Sequence, residues 1–245
     1  NKLKYTRIMN FLPEQKFNTI FHISDIHIRN DQDRQKEFQQ QFLKTFKIIK
    51  NHPKYDNTSL IVVTGDILDK GLLISGIAIE LLHIFIQGLT NLAPTIIIPG
   101  NHDDKKDIGE SRLDSLSAIF QTQTTKNLYY FRDSGIYTFG SNLVFGHTSV
   151  IDYKLIQSKD IKNIKDIKNR IKIALFHGML DGQTQNQNFL LRDCQFAISH
   201  FQGYQHVLLG DVHKYSEVAE NMWYAGSLVQ KSFAEDRNIH GGLLV

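Results

Sequence analysis

The chain has 245 residues and one cysteine, Cys194. A single thiol excludes an intrachain disulfide, and it fits a reducing compartment. Long apolar runs are also missing. The longest candidate, residues 77–92, is broken by Glu80, His83, Gln87 and Gly88, short of the ~18 consecutive apolar residues of a membrane helix. Residues 1–16 are polar and mixed, so no signal peptide is expected, and Asn1 opens the chain where a methionine would open an untrimmed one. Strong charge of either sign is absent too. The net charge of +3 is compatible with a nucleic-acid partner without arguing for one. No linker and no structural repeat interrupts the chain. The expectation is a soluble intracellular protein, cytoplasmic, nuclear or viral, with one domain over residues 1–245 and no membrane contact.

What is present is ordinary for a globular core, with 41% hydrophobic and 22% charged residues. The first half alternates strand and helix. Residues 19–23, 60–63 and 95–98 read as buried strands. Between them, residues 33–50 place Phe38, Phe42, Leu43, Phe46 and Ile49 at helical spacing, and residues 72–92 read as a mostly apolar helix. Such βαβ spacing predicts a parallel sheet. Residues 129–131, 136–139 and 143–145 are short runs separated by turn residues, which predicts antiparallel strands. Residues 159–172 carry a lysine roughly every third position, with Ile161, Ile164, Ile167 and Ile171 between. That pattern predicts an amphipathic helix with a solvated basic face. Residues 173–176 and 206–209 read as two more buried strands, and residues 223–245 as terminal strands.

Five polar clusters directly follow apolar runs. They are Asp25-Ile26-His27, Gly65-Asp66-Ile67-Leu68-Asp69, Gly100-Asn101-His102-Asp103, His177-Gly178 and Gly210-Asp211-Val212-His213. Ligands of open α/β sheets bind beyond the carboxyl ends of the strands, so clusters placed this way converge. Their residue types are carboxylate, imidazole and amide oxygen, without thiolate. That mixture suits two ions such as manganese, iron or zinc. A carboxylate such as Asp66 can bridge an ion pair that clamps the attacking and leaving oxygens of a displacement at phosphorus.

In this order the clusters resemble the calcineurin-like metallophosphoesterases, over nearly the whole chain from Thr19 onward. The resemblance implies an α/β fold with a two-sheet mixed β-sandwich flanked by helices. It implies one ion held by Asp25, His27, Asp66 and His213, and a second held by Asp66, Asn101, His177 and Asp211. His102 would face the scissile phosphate as a catalytic residue, with Asp69 orienting it. The family usually has a histidine where Asp211 stands; Asp211 either ligates as an oxygen donor or supports the ligands from behind. His147, which also ends a short apolar run, is the best decoy for a ligand.

Three further features resemble the SbcD-type DNA repair nuclease subunit. One is the stretch from His22 to Ile28 followed by Arg34 and Glu37-Phe38. Another is Val62 through Asp69. The most specific is Tyr224-Ala-Gly226-Ser227 with Gln230, Phe233, Glu235 and His240-Gly241. Arg112 through Leu116, and Leu208 through Lys214, are closest to the version found in large DNA viruses. This likeness implies a metal-dependent hydrolase of DNA phosphodiester bonds, an exonuclease or endonuclease of DNA repair. It implies two divalent ions, manganese first, with magnesium, iron or zinc compatible. DNA, an SbcC-type ATPase subunit and a second copy of the chain are the implied partners. The capping domain and the ATPase-binding segment would lie outside these residues. Arg29, Lys105, Lys106 and Lys214 lie beside the clusters, where a phosphate backbone would run. Tyr215 reads as a buried ring, with base stacking as the alternative. The rival activity is a phosphatase or phosphodiesterase acting on nucleotides or phosphoprotein, and a non-enzymatic scaffold is the third reading.

Overall fold

The computed structural model describes residues 8–69, 74–103, 114–122, 125–162, 164–181, 184–185, 189–190, 194–230 and 240–245. The chain opens with β1 (Ile8–Phe11) and β2 (Thr19–Ile23), then α1 (Gln35–Lys50), β3 (Ser59–Thr64), α2 (Gly76–Leu92) and β4 (Thr95–Ile98). Next come α3 (Ser115–Thr122), β5 (Leu128–Tyr130), β6 (Gly135–Phe139), β7 (Leu143–Thr148) and β8 (Ile171–His177). Two short pairs follow, built from β9 (Leu180–Asp181), β10 (Thr184–Gln185), β11 (Phe189–Leu190) and β12 (Phe196–Ala197). The chain closes with β13 (His206–Gly210), β14 (Ser216–Ala219), β15 (Met222–Tyr224) and β16 (Leu243–Leu244).

Two sheets carry the architecture. One runs β16-β2-β3-β4-β5, parallel except for β16; the other runs β1-β6-β7-β8-β13-β15-β14 and is mixed. The inner strands β2, β3 and β4 of the first sheet are buried on both faces, so they read as continuous apolar runs. Their alternation sorts the core. Phe21, Ile23, Ile61, Val63 and Ile97 face α1 and α2. Ile20, Leu60, Val62, Ile96 and Ile98 face the second sheet, against Phe139, Phe145, Leu175 and Leu208. A third cluster, with Phe176, Phe201, Tyr204, Val207 and Tyr224, covers the outer face of the second sheet. The result is the two-sheet mixed sandwich flanked by helices.

Two expectations fail. The described residues of the 159–172 run form no α-helix. They contain two 3₁₀ turns, Ser158–Asp160 and Ile167–Asn169, and Ile171 opens β8. An isoleucine every third residue matches the 3₁₀ period rather than 3.6. Asp166 adds a left-handed φ of 57°, which no continuing α-helix accepts. The second failure is β5. It joins the first sheet, parallel to β4, rather than an antiparallel set with β6 and β7. Thr95–Ile98 leaves an apolar edge that β5 covers, whereas β6 is covered by β1. Helix α2 begins at Gly76, where Ser75 accepts from the Ala78 N–H as N-cap; residues 70–73 lie outside the described ones.

Candidate metal centre

The C-terminal ends of β2, β3, β4, β8 and β13 meet at one rim of the sandwich, and each delivers one polar cluster. The loops are tied to one another by main-chain bonds. The Asp25 N–H donates to the Gly65 carbonyl at 3.2 Å, the His27 N–H to the Asp66 carbonyl at 2.9 Å, and the Gly178 N–H to the Gly210 carbonyl at 3.2 Å. Thr64 bridges the two sheets. Its carbonyl accepts from Ser24 Oγ at 3.0 Å and from His177 Nδ1 at 2.7 Å. The second bond occupies Nδ1 and leaves Nε2 as the nitrogen turned to the site, the orientation that metal ligation needs once its proton is released.

Close approach dictates the glycines. A Cβ on Gly100 would lie 2.1 Å from Asp66 Oδ1, and one on Gly210 would lie 2.0 Å from the Thr64 carbonyl. The backbone is strained in the same places. Asp25 (φ 52°), His27 (φ 49°), Asp66 (φ 51°) and Asp211 (φ 92°) all sit at positive φ. Non-glycine residues adopt that region at a cost of order 1–3 kcal/mol each, and such strain collects at functional sites.

Side chains converge in two groups that share Asp66. In the first, His27 Nε2 lies 3.0 Å from His213 Nε2, 3.5 Å from Asp66 Oδ2 and 3.8 Å from Asp25 Oδ1. His213 Nε2 lies 3.7 Å from Asp25 Oδ1. In the second, His177 Nε2 lies 2.9 Å from Asn101 Oδ1, 3.3 Å from Asp66 Oδ1 and 3.8 Å from Asp211 Oδ1. Ligands about 2.1 Å from one ion sit roughly 3.0–3.5 Å from each other, so these separations suit two coordination spheres. The two oxygens of Asp66 point into different groups, the arrangement of a bridging carboxylate. Two imidazole nitrogens face one another at 3.0 Å, close enough to share one proton or, both deprotonated, to hold one cation.

Electrostatics agree with the geometry. Burial works against the Asp66 charge, but His177 and His27 outweigh it, and the carboxyl is held well below the usual range. His177 is the counterpart. Burial would lower it, yet facing Asp66, Asp25 and Asp211 it is held well above its ordinary value. Burial pushes the Asp25 carboxyl up to about 6, with His177 opposing. The site concentrates negative charge in a buried place and recruits the nearest proton as counter-charge. A divalent ion would displace that proton.

The remaining candidates fall as follows. Asp211 donates its N–H to both Asp25 oxygens, at 3.1 and 3.2 Å, and its carboxylate stands at the margin of the second group. His102 flanks Asp66, with Nε2 at 3.9 Å from Oδ2. Its Nδ1 donates to the main-chain carbonyl of Asp69 at 2.6 Å. The Asp69 carboxylate lies 3.5 Å from His27 Nδ1 and 3.7 Å from Arg29 Nε. Arg29 and Asp69 line a cavity of about 280 Å³ beside the centre. Lys214 is exposed nearby, and Tyr215 is exposed rather than buried. A ring on that rim has no core to enter, because β14 begins at Ser216 on the sheet edge. Lys105, Lys106, Arg112, Phe233 and Glu235 lie outside the described residues. His147 is buried on β7, donating to the Asp133 carbonyl, and joins neither group.

Sequence reasoning assigned no role to Asp103 or Ser227. The buried Asp103 carboxylate accepts from the N–H groups of Gly100 (2.9 Å), Leu68 (3.0 Å) and Ile67 (3.3 Å), pinning the Asn101 loop to the Asp66 loop. The signal was available, since Asp103 closes the Gly-Asn-His-Asp cluster. Ser227 donates its N–H to the His213 carbonyl at 3.0 Å, and the Leu228 N–H donates to the Ser24 carbonyl at 3.2 Å. The Gly226-Ser227 segment therefore braces both the first and the last ligand loop. Arg34 links the same region, pairing with Glu37 at 2.7 Å and donating to the Gln230 carbonyl at 2.7 Å.

A calcineurin-like phosphoesterase model matches residues 19–233. The chain belongs to that family. Members are metal-dependent phosphoester hydrolases that typically bind two divalent ions, and three of the Asp/His groupings here could hold one. The chain is also 38% identical, over 229 residues, to an uncharacterized protein of Acanthamoeba polyphaga mimivirus. That alignment covers 91% of this chain and 17% of the viral protein, so the chain spans about a sixth of its relative's length. No described helix is long and apolar enough to cross a membrane.

Proposed function

We propose that this phosphoesterase is a DNA phosphodiesterase, the nuclease core of an SbcCD-like repair complex. The observation that carries the metal chemistry is Asp66, with one oxygen turned to His27 and the other to His177. Asp25, His27, Asp66 and His213 would hold one ion; Asp66, Asn101, His177 and Asp211 would hold the other. When bound, such ions supply Lewis-acid stabilisation and an activated water, with manganese the proposed metal. The protein's own part is placement. The Asp69 carbonyl fixes the His102 ring and leaves Nε2 beside Asp66. Protonated there, His102 can donate to the departing 3′ oxygen. Support for DNA comes from the features shared with SbcD-type subunits. The structure brings Arg34, Glu37 and Gln230 into one contact and seats Gly226-Ser227 on the ligand loops. The same likeness makes an SbcC-type ATPase and a second copy the proposed partners.

The test is hydrolysis of labelled single- and double-stranded DNA beside small chromogenic mono- and diesters, each with manganese. DNA and diester cleavage, lost in Asp25→Ala and His102→Ala while both variants stay folded, is the expected result. Cleavage of monoesters alone would replace this reading with a nucleotide or phosphoprotein phosphatase. Full activity in either variant would overturn the site assignment.

A further inference from the structure

The lysine-rich run at residues 159–172 has no part in the metal centre. It carries Lys159, Lys162, Lys165, Lys168, Arg170 and Lys172 against two carboxylates, Asp160 and Asp166, in a chain whose whole net charge is +3. As a helix this would be an ordinary solvated face. The structure shows instead an irregular strap fixed at several points. Ile161 and Ile164 are buried in the outer cluster of the second sheet, and Ile167 packs against it. Ser158 Oγ donates to the Gly203 carbonyl at 2.6 Å, and Arg170 donates to the carbonyls of Gly140 and Leu143 at 3.0 and 2.9 Å. Arg170 is thus spent on structure. The lysines are not: Lys159, Lys162, Lys165 and Lys168 are exposed, and no lysine of the run is in an ion pair among the described residues. Both carboxylates of the run are exposed, and Asp160 caps the first turn, accepting from the Gln157 N–H at 2.8 Å; the cations still outnumber them.

Position separates this strap from the catalytic rim. Ile171 opens β8 and His177 closes it, so roughly 20 Å of strand lies between them at ~3.3 Å per residue. The Gly203 anchor likewise precedes β13, whose other end carries Gly210-Asp211. The strap therefore lies at the N-terminal ends of the strands whose C-terminal ends hold the metal ligands.

We propose that this strap is a second, sequence-independent contact for the phosphate backbone of nucleic acid, distinct from the reaction cleft. A pinned row of unpaired ammonium groups matches a polyanion of regular charge, and it reads no bases. A membrane surface fits less well. Such elements turn several apolar side chains outward among their lysines, whereas here Ile161 and Ile164 are buried, Ile167 packs inward and Ile171 alone is exposed, at the start of β8. The contact engages substrate too long to be covered by the cleft alone. It goes beyond the nuclease reading and is testable without cleavage.

The experiment measures binding of the intact chain to a fluorescent 40-base-pair duplex by anisotropy, in EDTA, across 50–250 mM KCl. The probe variant replaces Lys159, Lys162, Lys165 and Lys168 by Gln; all four are exposed, so folding is preserved, with circular dichroism as the check. Each lost phosphate contact removes about 0.9 from the slope of log K against log salt, so loss of all four should make the slope shallower by about 3.6. Hydrolysis of a small chromogenic ester should be unchanged. An equal slope in variant and wild type overturns the proposal. So does a loss confined to phosphatidylserine-containing vesicles. Wild-type protein that cleaves DNA while the variant binds equally well removes the strap and leaves the nuclease reading. Wild-type protein that binds the duplex through the strap yet cleaves none does the reverse.

Discussion

Gly100→Ala tests whether the Asp66 bridge is positioned as the structure shows. The new Cβ would meet Asp66 Oδ1 at 2.1 Å and the Asp66 main-chain nitrogen at 2.2 Å. Neither is the free end of a flexible side chain. Asp66 is buried, and its Oδ1 accepts from the His102 N–H at 2.9 Å. Relief to an ordinary contact therefore displaces the bridging carboxylate, or the loop that carries Asn101 and His102, by about 1 Å. Misplacement of that size costs on the order of 100-fold in rate, and forced overpacking costs roughly 1–3 kcal/mol of stability. Gly76→Ala is the matched control, because nothing lies within 4 Å of its Cβ. The assay compares kcat/KM on a small chromogenic diester, manganese affinity by calorimetry, and Tm. The expected pattern is a loss of about two decades in rate and weaker metal binding for Gly100→Ala, with Gly76→Ala near wild type. A Gly100→Ala enzyme with wild-type metal affinity and rate would refute the placement of Asp66.

Other perturbations follow from the same geometry. Asp103→Ala strips three buried N–H groups of their acceptor, so denaturant unfolding should show a loss of roughly 3 kcal/mol or more; Asp103→Asn should recover part of it. Manganese binding should weaken as pH falls, because the raised His177 must release its proton to ligate, and calorimetry in buffers of different ionisation heat should show proton release. His22 and His147 are buried, and burial lowers them to about 3 and about 4. The unfolded chain, near 6.5, takes up their protons first. Stability from keeping them neutral is thus complete above pH 6.5 and is lost as pH falls below it. At pH 5 each contributes a loss of about 2 kcal/mol, so His147→Gln should show a drop between pH 8 and pH 5 that is smaller by about that amount.

The sandwich and the convergence of the polar clusters were legible because the candidate residues obey a local rule. Asp25, Asp66, Asn101, His177 and Asp211 each stand at or just after the end of an apolar run, and the strand-end placement that unites them follows from periodicity alone. The lysine strap and β5 were misread because their period or apolarity leaves two structures open, and long-range pairing chose between them. Ile171 was claimed by Leu143 across β7 and β8, and Leu128 by Thr95 across β4 and β5.

The sequence by itself determined which chemistry is available: carboxylates, imidazoles and an amide, free of thiolate, on a chain with no disulfide to hold them. Tertiary structure decided how they meet. Only the packed sandwich could turn the two oxygens of Asp66 toward different histidines, put four candidate ligands in left-handed backbone, and seat Ser227 against the His213 carbonyl. The reason is physical. Residue type and spacing set what a side chain can donate or accept, while direction is set by loops tied by bonds between distant residues, 186 apart in sequence between Asp25 and Asp211 and farther still between Ser24 and Leu228.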